Sequence, residues 1–188
     1  MKYNISYQMP KPDICLVPSG GNMAKRWGET WGDSMIFVDL ERKAIPDIRC
    51  LPHDAVYGQI AFIEHYYPNF SGWYWDKVVP GLQCGSRNMQ VVFEGGELLG
   101  VVISKKTEIE RKLCTIWVRE GARRMSLATT LCEGAFKWLG TRRPLLTVPE
   151  ERICSLRPLI SKLSFELTNV ETEMYRKSRQ EYVFNATT

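Results

Sequence analysis

Histidine is almost missing from this chain: His53 and His65 are the only two in 188 residues. Six cysteines (Cys15, Cys50, Cys84, Cys114, Cys132 and Cys154) are scattered with no Cys-x-x-Cys pair. Zinc-type ligand spacing is therefore lacking, and no resident metal is expected. No apolar run approaches the roughly 18 residues of a membrane-spanning helix, and the first thirty residues have no hydrophobic signal core. The expectation is a reduced, cytoplasmic protein with free thiols and no membrane association. Positive charge is in only small excess, net +4 with a pI near 8.7. That falls short of the domain pI above about 9 that points to nucleic acid by itself. An anionic partner would instead need a local cluster of cations.

What remains is an ordinary globular composition, 44% hydrophobic and 24% charged, long enough for one domain with a sizeable core. Residues 1–47 read as an irregular arm rich in Gly, Pro and Trp, with one extra strand candidate in "MIFVDL" (35–40). From residue 48 the periodicity sharpens. "IRCL" (48–51) is a short strand candidate. Asp54 can cap a helix over "AVYGQIAFIEHYY", where Val56, Ile60, Ile63 and Tyr67 recur at helical spacing and Pro68 ends the run. "SGWYWDKVV" predicts a second, shorter helix finished by Pro80-Gly81. "NMQVVFE" and "ELLGVVISK" flank Gly95-Gly96 as a hairpin, and "KLCTIWV" (112–118) adds a third antiparallel strand. A helix over 124–139 carries Leu127, Leu131, Ala135 and Trp138 on one stripe, with Gly140 as its stop. "PLLTV" (144–148) reads as a buried strand. "SLRPLISKL" (155–163) reads as a helix with Pro158 near its start, followed by the strands "FELTNV" and "EYVFN". The resulting order over 48–188 is β-α-α-β-β-β-α-β-α-β-β, a mixed α/β domain.

The stretch with most chemical content is "RKLCTIWVREGARRMSLATTL" (111–131), where a strand passes through Arg123-Arg124 into a helix. A helix start offers free N–H groups and a partial positive charge, which together hold phosphate oxygens. Small residues such as Ser126 and Ala128 let an anion approach the backbone, and the two arginines add charge-assisted donors. Taken alone, an Arg pair is more often a solvated loop.

In its element order and in this junction the chain resembles the GNAT superfamily of acyl-CoA-dependent N-acyltransferases, over about residues 48–188. Those proteins carry R/Q-x-x-G-x-G/A where Arg123-Arg124-Met125-Ser126-Leu127-Ala128 stands here. "IRCLPHDAVYGQIAFI" resembles their opening strand and helix, and "LISKLSFEL" their late helix, with Ser164-Phe165 in place of Gly-Phe. The resemblance implies a GNAT-like, mostly antiparallel sheet flanked by helices. It implies acetyl-CoA, or another acyl-CoA, as co-substrate of an N-acetyltransferase. Pyrophosphate would sit on Arg123, Arg124, Met125, Ser126, Leu127, Ala128 and Thr129. Exposed backbone near the end of the fourth strand, at Trp117 and Val118, would hold the pantetheine arm. Three letters depart from the pattern. Ser126 replaces a glycine, so the turn must keep φ negative or accept strain. The late-helix tyrosine that often protonates the departing thiolate aligns with Ile160. The Asn common after the fifth strand is replaced within "VPEER".

Transfer to an amine needs a neutral amine, hence a base or a water relay. His65, in "IEHYYP", lies where such proteins shape the acceptor pocket, and imidazole suits a base near neutrality; a plain helix-end histidine is the alternative. Glu110, like Glu108, precedes the fourth strand, where a carboxylate is the usual base of the superfamily. Glu150, beside Glu151, follows the fifth strand, and could equally complement a helix dipole. Ser155 is a hydroxyl candidate near that helix start, or merely its cap. Tyr175 is a candidate acid from the last strands, as is Tyr182, though strand tyrosines usually pack. Cys114 fits core filling better than nucleophilic catalysis. Six aromatics in "HYYPNFSGWYWDK" (65–77) suit a lid, an apolar substrate wall, or stacking on a nucleobase. The acceptor stays open between small molecule, protein and nucleic acid. Base modification of nucleic acid and a non-catalytic GNAT-fold binding module are the rivals. The arm could cover the acceptor groove or mediate a homodimer.

Overall fold

Near-continuous buried runs over Asn88–Val92 and Leu98–Ser104, covered on both faces, drive the central strands into one sheet. The computed structural model describes residues 35–39, 53–94 and 97–186; most of the arm and the expected strand at 48–51 lie outside them. The strands are β1 (Met35–Asp39), β2 (Arg87–Glu94), β3 (Glu97–Lys106), β4 (Arg111–Val118), β5 (Leu145–Pro149), β6 (Leu167–Thr172) and β7 (Gln180–Phe184). They form a seven-stranded sheet in the order β1-β2-β3-β4-β5-β7-β6. All neighbouring pairs are antiparallel except β4 with β5.

That exception creates the site. β4 and β5 run parallel but pair only at Lys112 with Leu145 and Leu113 with Leu146. Beyond these residues the two strands part, leaving the edge of β4 unpaired on the β5 side. A bulge at Cys114 shifts the β3–β4 register between Ile103 and Ser104, and such bulges re-aim side chains. As a result Ile116 and Val118 point to one face of the sheet, while Lys112, Thr115 and Trp117 point to the other.

Helices α1 (His53–Ile60), α2 (Phe70–Trp73), α3 (Val79–Cys84), α4 (Leu127–Leu139) and α5 (Glu150–Lys162) cover the sheet. On the first face, Val56, Ile60, Phe70, Tyr74, Val78 and Leu82 pack on Met89, Val91, Val101 and Ile103. Tyr74 is fully buried, its hydroxyl donating to the His53 carbonyl at 3.2 Å. On the second face α4 packs against β2, β3 and β4. At Gly100 a Cβ would lie 3.0 Å from Leu131 Cδ1, so glycine is what lets α4 sit this close to β3.

Several boundaries differ from expectation for physical reasons. The helical segment after Pro68 does not end at Pro80-Gly81. A π turn over Tyr74–Val78 shifts the register just ahead of Pro80, and the helical run continues through it to Cys84. α4 starts at Leu127 and not at 124, because Arg124 (φ 67°) and Ser126 (φ 58°) are left-handed. Its buried stripe is Leu127, Leu131, Cys132, Ala135, Phe136 and Leu139, with Trp138 beside it. α5 begins at Glu150, five residues before the expected start, so Pro158 lies inside the helix.

Candidate active site

Residues 118–129 form the turn from β4 into α4 on the second face. A short 3-10 turn (Glu120–Ala122) buries Ala122, then Arg123 swings back so that its Nε donates to the Val118 carbonyl at 3.4 Å. Its guanidinium also lies 3.7 Å from Glu120. Ser126 enters α4 without a side-chain cap, and the first carbonyl to be used is its own, accepting from Thr130 N at 3.0 Å. The N–H groups of the first turn, Leu127 to Thr129, precede any i−4 carbonyl, and these three residues line the groove described next. The expected departure at Ser126 is thus resolved toward strain: the turn keeps the glycine-like geometry with a serine in it.

α5 closes the other side. Arg152, the adjacent Ser155 and Leu156 three and four positions on, and Leu159 present one helix face to Ile116 and Val118. The groove so formed encloses about 400 Å³ and is also lined by Arg123, Arg124, Ser126, Leu127, Ala128, Thr129 and Lys162. Four cations and no carboxylate line it. A phosphate-bearing ligand with a long apolar arm fits this combination: cations and helix N–H groups at one end, the open edge of β4 along its length. The side chains of two expected binding residues do not line the groove, which leaves the backbone role expected of Trp117 untouched. Met125 is exposed, and the Trp117 side chain packs beneath α1 on the opposite face.

Across β4 lies a second cavity of about 310 Å³, walled by Tyr67, Phe70, Trp73, Arg87, Lys105, Glu110, Lys112, Cys114, Thr115, Thr147 and Tyr175. Tyr67 is its central polar group. Its hydroxyl donates to Glu181 Oε2 at 3.3 Å and its ring meets Tyr175 edge-on with centroids 5.1 Å apart. Glu181, on β7 beside Pro149 of β5, is only 2% exposed. Burial pushes its carboxyl up to about 7, against the hydrogen bond from Tyr67 and the charges of Arg176 and Lys112, which hold it down. Burial and the adjacent Glu181 together push the Tyr67 phenol well above its ordinary value. A buried carboxyl with its pKa raised, hydrogen-bonded to a phenol that lines a cavity, is an arrangement that can pass a proton.

Neither Tyr67 nor Glu181 was singled out by sequence reasoning as chemical. Tyr67 reads as one of the helix-stripe residues of 54–67, yet it follows a 3-10 turn (Ala61–His65) and turns toward β7. The available signal was phase: in "EYVFN" Glu181 alternates with the buried Val183, an inward carboxylate on a strand.

The expected catalytic residues are dispersed. Glu110 and Tyr175 reach the cavity. Glu110 forms an ion pair with Lys105, and the Tyr175 hydroxyl accepts from Lys112 Nζ at 3.3 Å. His65 is exposed outside both cavities, its ring against Tyr66 and its carbonyl accepting from Arg176. Glu150 pairs with Arg179 at 2.8 Å, and neighbouring Glu151 with Arg176, whose hydrogen bonds pull the Glu151 carboxyl down. Both tie α5 to the segment before β7. Ser155 lines the groove, its hydroxyl donating to the Arg152 carbonyl at 2.9 Å. Cys114 borders the cavity with its thiol pushed up by burial, near the Arg87 guanidinium. Among the described residues no cluster of His, Cys, Asp and Glu could hold a metal ion, and no helix is long and apolar enough to cross a membrane.

No protein-family model matches this sequence. No curated protein matches it either. Solved structures do. The NAA60 protein of Arabidopsis thaliana in complex with acetyl-CoA superposes with a TM-score of 0.58 at 17% identity, covering 80% of this chain and 96% of that one. A GNAT-family acetyltransferase from Streptococcus pneumoniae gives 0.53 at 16% identity, with 80% and 96% coverage. One from Elizabethkingia anophelis with acetyl-CoA bound gives 0.52 at 12% identity, with 81% and 97%. The chain has the GNAT fold.

Proposed function

We propose that this protein is an acyl-CoA-dependent N-acyltransferase, with acetyl-CoA as the donor. The single observation that carries this is the groove between the edge of β4 that β5 leaves unpaired, the turn into α4, and α5. It joins a strained helix start and four cations to an unpaired strand edge. The acetyl-CoA-bound structures that share the fold support the choice of donor.

Bound there, an acyl-CoA supplies an activated thioester carbonyl. Arg123, Arg124 and the N–H groups of Leu127–Thr129 hold its phosphates, and Val118 the arm. Tyr67 and Glu181 supply the proton acceptor on the other side of β4. As an ammonium acceptor gives a proton to the Tyr67 oxygen, Tyr67 passes its own proton to Glu181, and the amine becomes neutral. The amine nitrogen then bonds to the acyl carbon as the carbon–sulfur bond breaks, and the thiolate takes up the proton that nitrogen loses. Ser155 is the hydroxyl lining the groove, and Tyr175 lines the cavity; either can deliver that proton.

Acetyl-CoA should raise the melting temperature, and the double change Arg123→Ala with Arg124→Ala should cut the rise sharply. No shift at millimolar acetyl-CoA would sink the assignment.

A further inference from the structure

The cavity on the first face has a charge that proton transfer does not require. Arg87, Lys105 and Lys112 line it against one carboxylate, Glu110, already paired with Lys105. Among the described residues no carboxylate lies within ion-pair distance of Arg87. Its Nε donates to the Lys77 carbonyl at 3.0 Å, one terminal nitrogen meets Cys114 Sγ at 3.6 Å, and its guanidinium stands 5.2 Å from the Trp73 ring centre. Lys112 also has no ion pair there; its Nζ donates to the Tyr175 hydroxyl and lies 6.0 Å from that ring's centre. Arg87 is thus held against an aromatic ring and Lys112 at the hydroxyl edge of another, each with donors to spare at the cavity wall.

Such a wall repels a simple ammonium ion, since like charges disfavour each other at short range. It attracts a molecule whose negative group offsets the repulsion. The volume sits at the lower end for small-molecule sites, and Tyr67, Phe70, Trp73 and Tyr175 give it an aromatic lining. We propose that the acceptor is a small amine bearing its own anionic group, a carboxylate or phosphate held by Arg87 and Lys112, with its apolar body against the aromatic wall. This rests on the acyltransferase reading and narrows its substrate class.

The test compares matched acceptors with the full chain and acetyl-CoA, following thiol release per neutral amine. One pair is phenylalanine against phenethylamine, the other O-phosphoethanolamine against ethanolamine; the two separate carboxylate from phosphate. At least one anionic member should show kcat/KM roughly tenfold or more above its partner, as charge-assisted contacts allow. The preference should fall in Lys112→Gln and in Arg87→Gln, and partly return in Arg87→Lys. Equal or better turnover of both partners that lack the anionic group overturns the proposal. A donor-free arm separates the two readings: 3-phenylpropionate should quench tryptophan fluorescence at lower concentration than its neutral amide, and Lys112→Gln should abolish the difference. If acetyl-CoA neither binds nor reacts, the acyltransferase reading fails while this arm still decides on the anion. If acetyl-CoA binds but carboxylate and amide quench alike, the anion proposal fails alone.

Discussion

The groove on the α4 face and the cavity on the α1–α3 face share a wall, strand β4, but are built in different ways. The groove takes much of its lining from one contiguous turn, residues 118–129, and offers backbone N–H groups and cations. The cavity gathers Tyr67, Arg87, Lys112, Thr147 and Tyr175 from distant parts of the chain and offers side chains. A contiguous turn can preserve its geometry while its letters drift, because backbone does the binding. A site made of side chains depends on each one's identity. The first should therefore yield to substitution gradually and the second abruptly.

The largest effect is expected at Tyr67 and Glu181. Tyr67→Phe and Glu181→Gln should each lower kcat by about a hundredfold or more, the range for a positioned acid or base. The affinity for acetyl-CoA, measured by calorimetry, should stay within about twofold, since neither residue lines the groove. A parallel loss of acetyl-CoA binding would mean that the two regions are not separable.

Next comes the groove. Arg123→Ala together with Arg124→Ala should weaken acetyl-CoA by about 10- to 100-fold, as expected for losing charge-assisted contacts at a partly exposed site. The effect should shrink as ionic strength rises. Titrations at low and high salt check both statements.

Acidity sharpens the comparison further. Glu181 must be a carboxylate to take a proton, so kcat/KM should climb as pH rises through about 7. Glu181→Gln should flatten that limb. Stability runs the opposite way. The folded-state value lies above that of an unfolded Glu, so the protonated group's contribution is present below about 4.5 and lost as pH rises through about 7. Melting curves should show Glu181→Gln gaining on the parent protein between pH 5 and pH 8. A gap that does not change with pH would remove Glu181 as the titrating group.

How much of this could be read from the letters follows the same division. Strands β2 to β5 and helix α4 are legible because alternation and helical stripes are local, and Arg123-Arg124 before small residues is a local motif. The parting of β4 and β5 is visible only through the resemblance, since pairing is a tertiary property. Glu181 and Tyr67 are 114 residues apart, and no spacing rule joins them. His65 stands two positions from Tyr67, yet the 3-10 turn rotates its ring outward and carries Tyr67 inward. Pro158 misplaced the start of α5, because a proline inside a helix reads as its beginning.

The smallest expected effect tests the groove's geometry by itself. Ser126 holds φ 58°, ψ 4° with no capping hydrogen bond, so its side chain adds strain and nothing that offsets it. Glycine adopts that conformation freely, while its unfolded chain has more freedom to lose, and the two effects partly cancel. Ser126→Gly should therefore raise stability by no more than about 1 kcal/mol, or about 2–4 °C in melting temperature for a chain of this size. It should also leave acetyl-CoA affinity equal or slightly higher, because the backbone geometry is already the one glycine would take. Ser126→Val adds a methyl-sized branch at Cβ and makes left-handed backbone much costlier. It should lower both stability and acetyl-CoA affinity, while the fluorescence response of the opposite cavity persists. If valine is tolerated in the groove and disturbs the cavity, the turn is not what positions the helix start, and the contrast between the two regions loses its basis.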